Sequence, residues 1–229
     1  GLIGALAKKG CQGVVLTEVT SKNKKIAGFE NKKILRSLRN DFLKPVFLQY
    51  DYERAKRLAG KCQIIHALVE PYAPLAARLG KGKNFFVTTH GTYATLLFDQ
   101  PLVGRMVKKS FKQAAKIFCV SRFTQQEILK KIEASNNIVI PNGVNFESWQ
   151  TDKKIKLSGR KTILSVGALK PRKGYHVAIE AVARVKPRYR DLQYYIVGEQ
   201  KNQAYFEQLK QLVQDYQLKD NVIFLENIP

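Results

Sequence analysis

Cysteine is scarce and unpatterned in this 229-residue chain. Its three cysteines, Cys11, Cys62 and Cys119, are odd in number, far apart and form no Cys-x-x-Cys or Cys/His cluster. That excludes a disulfide framework and a thiolate metal site, and the expectation is a reduced, cytoplasmic protein whose cysteines serve as small core residues. No apolar run reaches the roughly 18 residues that a membrane-spanning helix needs, and no signal-peptide pattern is present. Zinc-finger spacing and RNP-like strands are absent, and basic runs such as Lys22-Asn-Lys-Lys25 lack interleaved aromatics. These absences speak against nucleic acid as the partner. There is no Ser/His/Asp triad and no evident carboxylate nucleophile.

Acidic residues are the other shortage: 18 Asp and Glu stand against 40 Lys and Arg, for a net charge of +22. Such an excess favours an anionic partner, whether phosphorylated substrate, acidic membrane surface or nucleic acid, although a solvated Lys-rich surface has the same composition. A hydrophobic fraction of 45% is enough for a sizeable core. Against this background two stretches stand out, Ile138-Val-Ile-Pro-Asn-Gly-Val-Asn145 and Ile163-Leu-Ser-Val-Gly-Ala-Leu-Lys-Pro-Arg-Lys-Gly174. Each reads as a buried strand stopping at a turn. The second turn runs through Lys170, Arg172 and Lys173 into the start of a helix, where free N–H groups and the helix dipole both favour an anion.

Strand and helix patterns alternate along the whole chain. Helices are expected over residues 2–9, 50–58, 71–79, 102–114, 124–133, 175–185 and 203–216, with Ser121 as an N-cap for the fifth. Residues 34–43 are amphipathic. Strands are expected over residues 14–17, 63–69, 84–90, 116–121, 137–140, 162–166, 192–197 and 222–225. Apolar strands alternating with helices of this length indicate a parallel sheet covered on both faces. Residues 146–161 are polar, Lys-rich and aperiodic, and read as an interdomain linker. The first half opens inside a helical pattern, and the second stops at three strands and two helices, so the expectation is a piece of a longer chain.

The order and spacing of several short motifs resemble the GT-B glycosyltransferases of the large retaining family 4, also called glycosyl transferases group 1. The residues that carry the resemblance are Val139-Ile-Pro-Asn-Gly-Val-Asn145, Leu164-Ser-Val-Gly167 with Lys173-Gly174, and Tyr195-Ile-Val-Gly198. Softer matches are Leu6-Ala-Lys-Lys-Gly10, Ile65-His-Ala67, Thr89-His-Gly91 and Val120-Ser121. The resemblance implies an α/β fold of GT-B architecture: two Rossmann-like, doubly wound parallel-sheet domains, both incomplete here. Residues 1–145 would be the acceptor-side domain lacking its first strand, and residues 162–229 the first half of the nucleotide-sugar-binding domain.

The same resemblance implies transfer of a hexose from a nucleotide diphosphate sugar to an acceptor hydroxyl, with retention and without a metal or other cofactor. Lys173 and His90 would be catalytic. Gly167, Arg172 and Lys173 would hold the donor phosphates, while His90, Gly91, Ser121 and Asn142 would line the acceptor side. The acceptor would be a saccharide or a lipid-linked sugar, with peripheral contact to an anionic membrane. One departure stands out: the family usually has Arg directly after the strand-ending glycine, and here that position is Ala168. Unless Arg172 or Lys170 substitutes, losing one charge-assisted phosphate contact would cost on the order of 2–4 kcal/mol. Ala168 therefore also keeps open a non-catalytic, anion-binding relative of the same fold, with a basic nucleic-acid-binding α/β protein as a more distant rival. The family's paired acidic residues would lie beyond Pro229, so this stretch alone is expected to be inactive.

Among the remaining histidines, His66 reads as a core residue and His176 as a helix-face residue, while His90 can be either a satisfied strand-end residue or a ligand contact. Asn142-Gly143 reads as a turn with the glycine at positive φ.

Overall fold

The computed structural model describes residues 2–21, 25–36, 44–91, 96–150 and 160–226. The chain divides into two compact units, Gly1–Ser148 and Trp149–Pro229.

The first unit begins with helix α1 (Leu2–Lys8), followed by strand β1 (Gly13–Glu18). β1 pairs in parallel with β2 (Phe29–Leu35), from Gly13 opposite Phe29 to Glu18 opposite Leu35. Ile34 and Leu35, expected in an amphipathic stretch over 34–43, therefore belong to a strand, and residues 37–43 lie outside the described ones. The reason β2 escapes a pattern search is its polar sequence, Phe-Glu-Asn-Lys-Lys-Ile-Leu. Ladder pairing with β1, not apolar alternation, defines it.

After helix α2 (Lys44–Gly60), four parallel strands pair in chain order: β3 (Ile64–Ala67), β4 (Asn84–Thr89), β5 (Lys116–Cys119) and β6 (Asn137–Val139). A 3-10 turn (Glu70–Tyr72) and helix α3 (Ala73–Leu79) connect β3 to β4. Helix α4 (Pro101–Gln113) precedes β5, and α5 (Arg122–Leu129) follows it. The period-2 pleat sends Phe85, Val87 and Thr89 of β4 to one face, where Phe85 and Val87 join Ile117 and Cys119 in a core with Ala73, Ala76, Val107, Phe111 and Ile128.

The other face differs from the expected burial on both sides. It carries His66, Phe86 and Phe118, all half-buried, while Ile64 and Ile138 are exposed. His66 is accordingly not a core residue; its Nε2 bonds Thr88 Oγ1 at 2.8 Å and its ring lies 5.6 Å from that of Phe118. Of the three cysteines only Cys119 is buried. Cys11 is exposed and Cys62 intermediate, because both sit just past helix C-termini rather than on an inward strand position.

The second unit follows a 3-10 turn (Phe146–Trp149). Residues 151–159 of the expected linker lie outside the described ones. β7 (Thr162–Val166), β8 (Gln193–Val197) and β9 (Val222–Leu225) form a parallel sheet in that order. Helices α6 (Tyr175–Val185) and α7 (Gln203–Asp215) are amphipathic, and their apolar stripes bury Ile179, Val182, Leu209 and Val213 against Tyr194 and Ile196 of β8.

Candidate functional site

Parallel strands place all their C-termini on one edge, and in each unit the sequence-selected residues fall at or just beyond that edge. In the first unit, His90 and Gly91 follow β4, Ser121 follows β5 and Asn142 follows β6.

The His90–Gly91 turn is held from below by Glu70, which no sequence reading selected. Glu70 opens the 3-10 turn after β3 and is 0% exposed. Its Oε1 accepts from Thr89 Oγ1 at 3.0 Å, His90 N at 2.5 Å and Gly91 N at 3.0 Å. The His90 ring is tied to the same segment, with Nε2 donating to the Leu68 carbonyl at 3.1 Å. A carbonyl can only accept, so Nε2 carries a proton in this bond.

Gly91 has φ +98°, a conformation that disfavours any Cβ, and a Cβ there would stand 3.0 Å from Thr124 Oγ1. Ser121 does cap α5: its Oγ accepts from Thr124 N at 3.1 Å and lies 3.0 Å from Thr124 Oγ1. Thr124 thus joins Gly91 and Ser121 in one cluster. Asn142 does not enter it; it lies on an exposed connection. Gly143 does not take the left-handed conformation expected of it.

In the second unit, β7 stops at Gly167, which has φ +150°. Its N–H donates to Val197 O at 2.8 Å, and its carbonyl accepts from the Tyr175 hydroxyl at 2.7 Å. Burial pushes the Tyr175 phenol above its ordinary pKa, which keeps it a donor. Gly198 at the end of β8 is required by contact: a Cβ there would overlap the Gly167 carbonyl. The chain then turns through a 3-10 segment (Pro171–Lys173) into α6, with the Lys173 N–H donating to Lys170 O at 2.8 Å.

This turn folds the exposed Lys173 side chain back over the strand end. Its Nζ lies 4.0 Å from the position a Gly167 Cβ would occupy. Gly167 and Lys173 are thereby brought together, whereas Arg172 points from the exposed turn with no partner among the described residues. His176, expected on a helix face, is half-buried with Nδ1 2.8 Å from Tyr205 Oη. The arrangement in this unit can receive an anion at a bare glycine backbone beside a flexible cation.

Of the residues that sequence reading missed, Glu70 was the most accessible. An acid directly before proline, just past an apolar strand, marks a polar turn at the sheet's C-terminal edge. Tyr175 carried no such signal, because its role depends on where its hydroxyl reaches.

Comparison with known proteins places this geometry in a class. A likeness to solved structures extends over almost the whole chain. A glycosyltransferase from Rickettsia africae superposes with a TM-score of 0.70 at 20% identity, covering 99% of this chain and 63% of that one. Anabaena Alr3699/HepE, crystallised with UDP and glucose, gives 0.73 at 16% identity, covering 98% of this chain and 64% of that one. The fold is GT-B, with Rossmann-like α/β units.

Two family models match: Glycosyltransferase Family 4 over residues 1–148 and Glycosyl transferases group 1 over residues 147–229. The chain belongs to glycosyltransferase family 4. Among curated relatives, the GDP-mannose-dependent alpha-(1-6)-phosphatidylinositol monomannoside mannosyltransferase of Mycolicibacterium smegmatis is 26% identical over 190 residues, 77% of this chain and 49% of that protein. The phosphatidyl-myo-inositol mannosyltransferase of Mycobacterium tuberculosis is 32% identical over 148 residues, 61% of this chain and 38% of that protein. The chain thus spans half or less of the length of these curated relatives.

Proposed function

We propose that the protein transfers a hexose from a nucleotide diphosphate sugar to an acceptor hydroxyl, with retention and without a metal. The observation that carries this reading is the Lys173 amine folded over the bare Gly167 strand end. In this reading the donor diphosphate lies against Gly167, and Lys173 stabilises charge as it builds on the leaving phosphate. The bond from the sugar's anomeric carbon to the phosphate oxygen breaks, and the acceptor oxygen bonds that carbon on the same face. The acceptor proton passes to the departing phosphate, and nucleoside diphosphate is released. His90 would contact substrate.

The names of the curated relatives support a nucleotide-sugar donor and a lipid-linked acceptor, and one structural neighbour was crystallised with UDP and glucose. Because those names include both GDP and UDP, the donor base stays open between them. A peripheral, cytoplasmic-face location is part of the same proposal, supported by the +22 charge and the lipid acceptors in the relatives' names. Among the described residues, no helix is long and apolar enough to cross a membrane.

The test is an assay of the full-length protein with GDP-mannose and UDP-glucose, following nucleoside diphosphate release and the anomeric configuration of the product by NMR. Release with retained configuration, unaffected by a chelator, is the expected result. No release from any nucleotide sugar would sink the enzymatic reading and favour the non-catalytic relative that Ala168 had kept open. An inverted product would remove retention, and chelator-sensitive activity restored by a divalent cation would remove metal independence.

A further inference from the structure

We propose that Glu70 is a positioning residue for His90, acting through a buried clamp on the His90–Gly91 turn. The proposal rests on reading that turn as the substrate-contacting element of the first unit.

A carboxyl group withdrawn from water is costly unless its oxygens find donors. Glu70 is fully buried, yet its oxygens are used unequally. Oε1 takes three donors, while Oε2 has no hydrogen-bond partner among the described residues. A residue kept only to fill space would be replaced by an apolar one without this cost. The three donors share an origin, because Thr89, His90 and Gly91 are consecutive and form the junction where β4 becomes loop. The clamp is also reciprocal: the Leu68 carbonyl, two residues before Glu70, accepts from the His90 ring. The backbone and the side chain of His90 are therefore both fixed to the single segment that leaves β3.

This geometry has two consequences. The N–H groups of His90 and Gly91 are spent on Glu70, so they do not form an anion hole for the donor. What the turn offers outward is the His90 ring, held in one orientation. Holding a contact group in place before the substrate arrives lowers the ordering cost at the transition state, and a misplacement of about 1 Å can cost about a hundredfold in rate. Thr124, packed against Gly91, closes the other side of the turn.

The test uses the full-length protein with the variants Glu70→Gln and Glu70→Ala. Gln keeps an oxygen acceptor for the three donors, whereas Ala removes it. Glu70→Ala should lower kcat about tenfold or more while changing donor KM less than about threefold. Glu70→Gln should recover most of kcat. Independently of activity, hydrogen exchange at the His90 and Gly91 amides should be slow in the wild type and in Glu70→Gln, and fast in Glu70→Ala. If Ala does not fold, Glu70→Asp replaces it, since one fewer methylene retracts the oxygen from all three donors. A folded Ala or Asp variant with unchanged kcat, or with unchanged exchange at those amides, overturns the proposal. A wild type that turns over no nucleotide sugar instead overturns the proposed function, and the exchange experiment still decides whether the clamp exists.

Discussion

At the scale of single residues, the turn after β7 depends on two side chains and one absent side chain. Lys173 brings the charge, Tyr175 holds the Gly167 carbonyl, and Gly198 leaves room for that carbonyl. In the proposed reaction, replacing Lys173 by Ala removes a charge-assisted contact that strengthens in the transition state. The expected loss is about 2–4 kcal/mol in kcat/KM, read in steady-state assays of the full-length protein, with an unchanged melting temperature. Gly198→Ala acts differently, because its Cβ meets backbone that cannot rotate away. It should cost about 1–3 kcal/mol of stability and weaken nucleotide binding together, as followed by denaturant unfolding and calorimetry. An intact Gly198→Ala variant with full nucleotide affinity would show that the Gly167 carbonyl position is not critical. The cysteines give a third prediction. Burial pushes the Cys119 thiol up to about 11, whereas Cys11 is exposed. Alkylation at neutral pH followed by peptide mapping should label Cys11 first and leave Cys119 unmodified until the chain unfolds.

At the scale of elements, the four-stranded sheet has two unlike faces, and this makes a pH effect. His66 sits on the aromatic face between Phe86 and Phe118, and burial lowers its pKa below the ordinary value of 6.5. The folded state therefore prefers the neutral ring. The stability this contributes is whole above the unfolded value and is lost as pH falls through the lower folded one. Unfolding midpoints should fall between pH 7.5 and 5 more steeply for the wild type than for His66→Gln. Equal slopes, or an NMR titration midpoint for His66 at or above 6.5, would contradict the assignment. The turns at the sheet's C-terminal edge are set by similar local economies. Ser121 accepts from the free Thr124 amide in the first turn of α5, so its role there is a cap.

At the scale of the whole molecule, a charge of +22 without a membrane-spanning helix among the described residues makes attraction to anionic surfaces the dominant long-range interaction. Full-length protein should co-sediment with vesicles containing anionic lipid and not with purely zwitterionic ones. The bound fraction should fall steeply between about 0.05 and 0.5 M salt as the Debye length shrinks. Salt-insensitive binding would point to inserted apolar groups instead of charge. Equal binding to zwitterionic vesicles would remove the electrostatic account altogether.

The sequence by itself carried the alternation of strands and helices, the family and the residues at strand ends. These follow from local periodicity and from glycines and prolines that punctuate it, so Gly167, Lys173, His90 and Ser121 were legible before any coordinate. β2 was not, because a polar strand is defined by its parallel partner and leaves no apolar alternation to read. Only the tertiary structure decided that Cys11 is exposed, that His66 belongs to a half-buried aromatic face, and that Gly143 needs no left-handed turn. It alone brought Glu70 beneath His90 and Tyr175 onto Gly167, residues 20 and 8 positions apart. Hydrogen bonds between distant segments depend on how strands register, and register is a property of the packed chain, not of any one stretch of it.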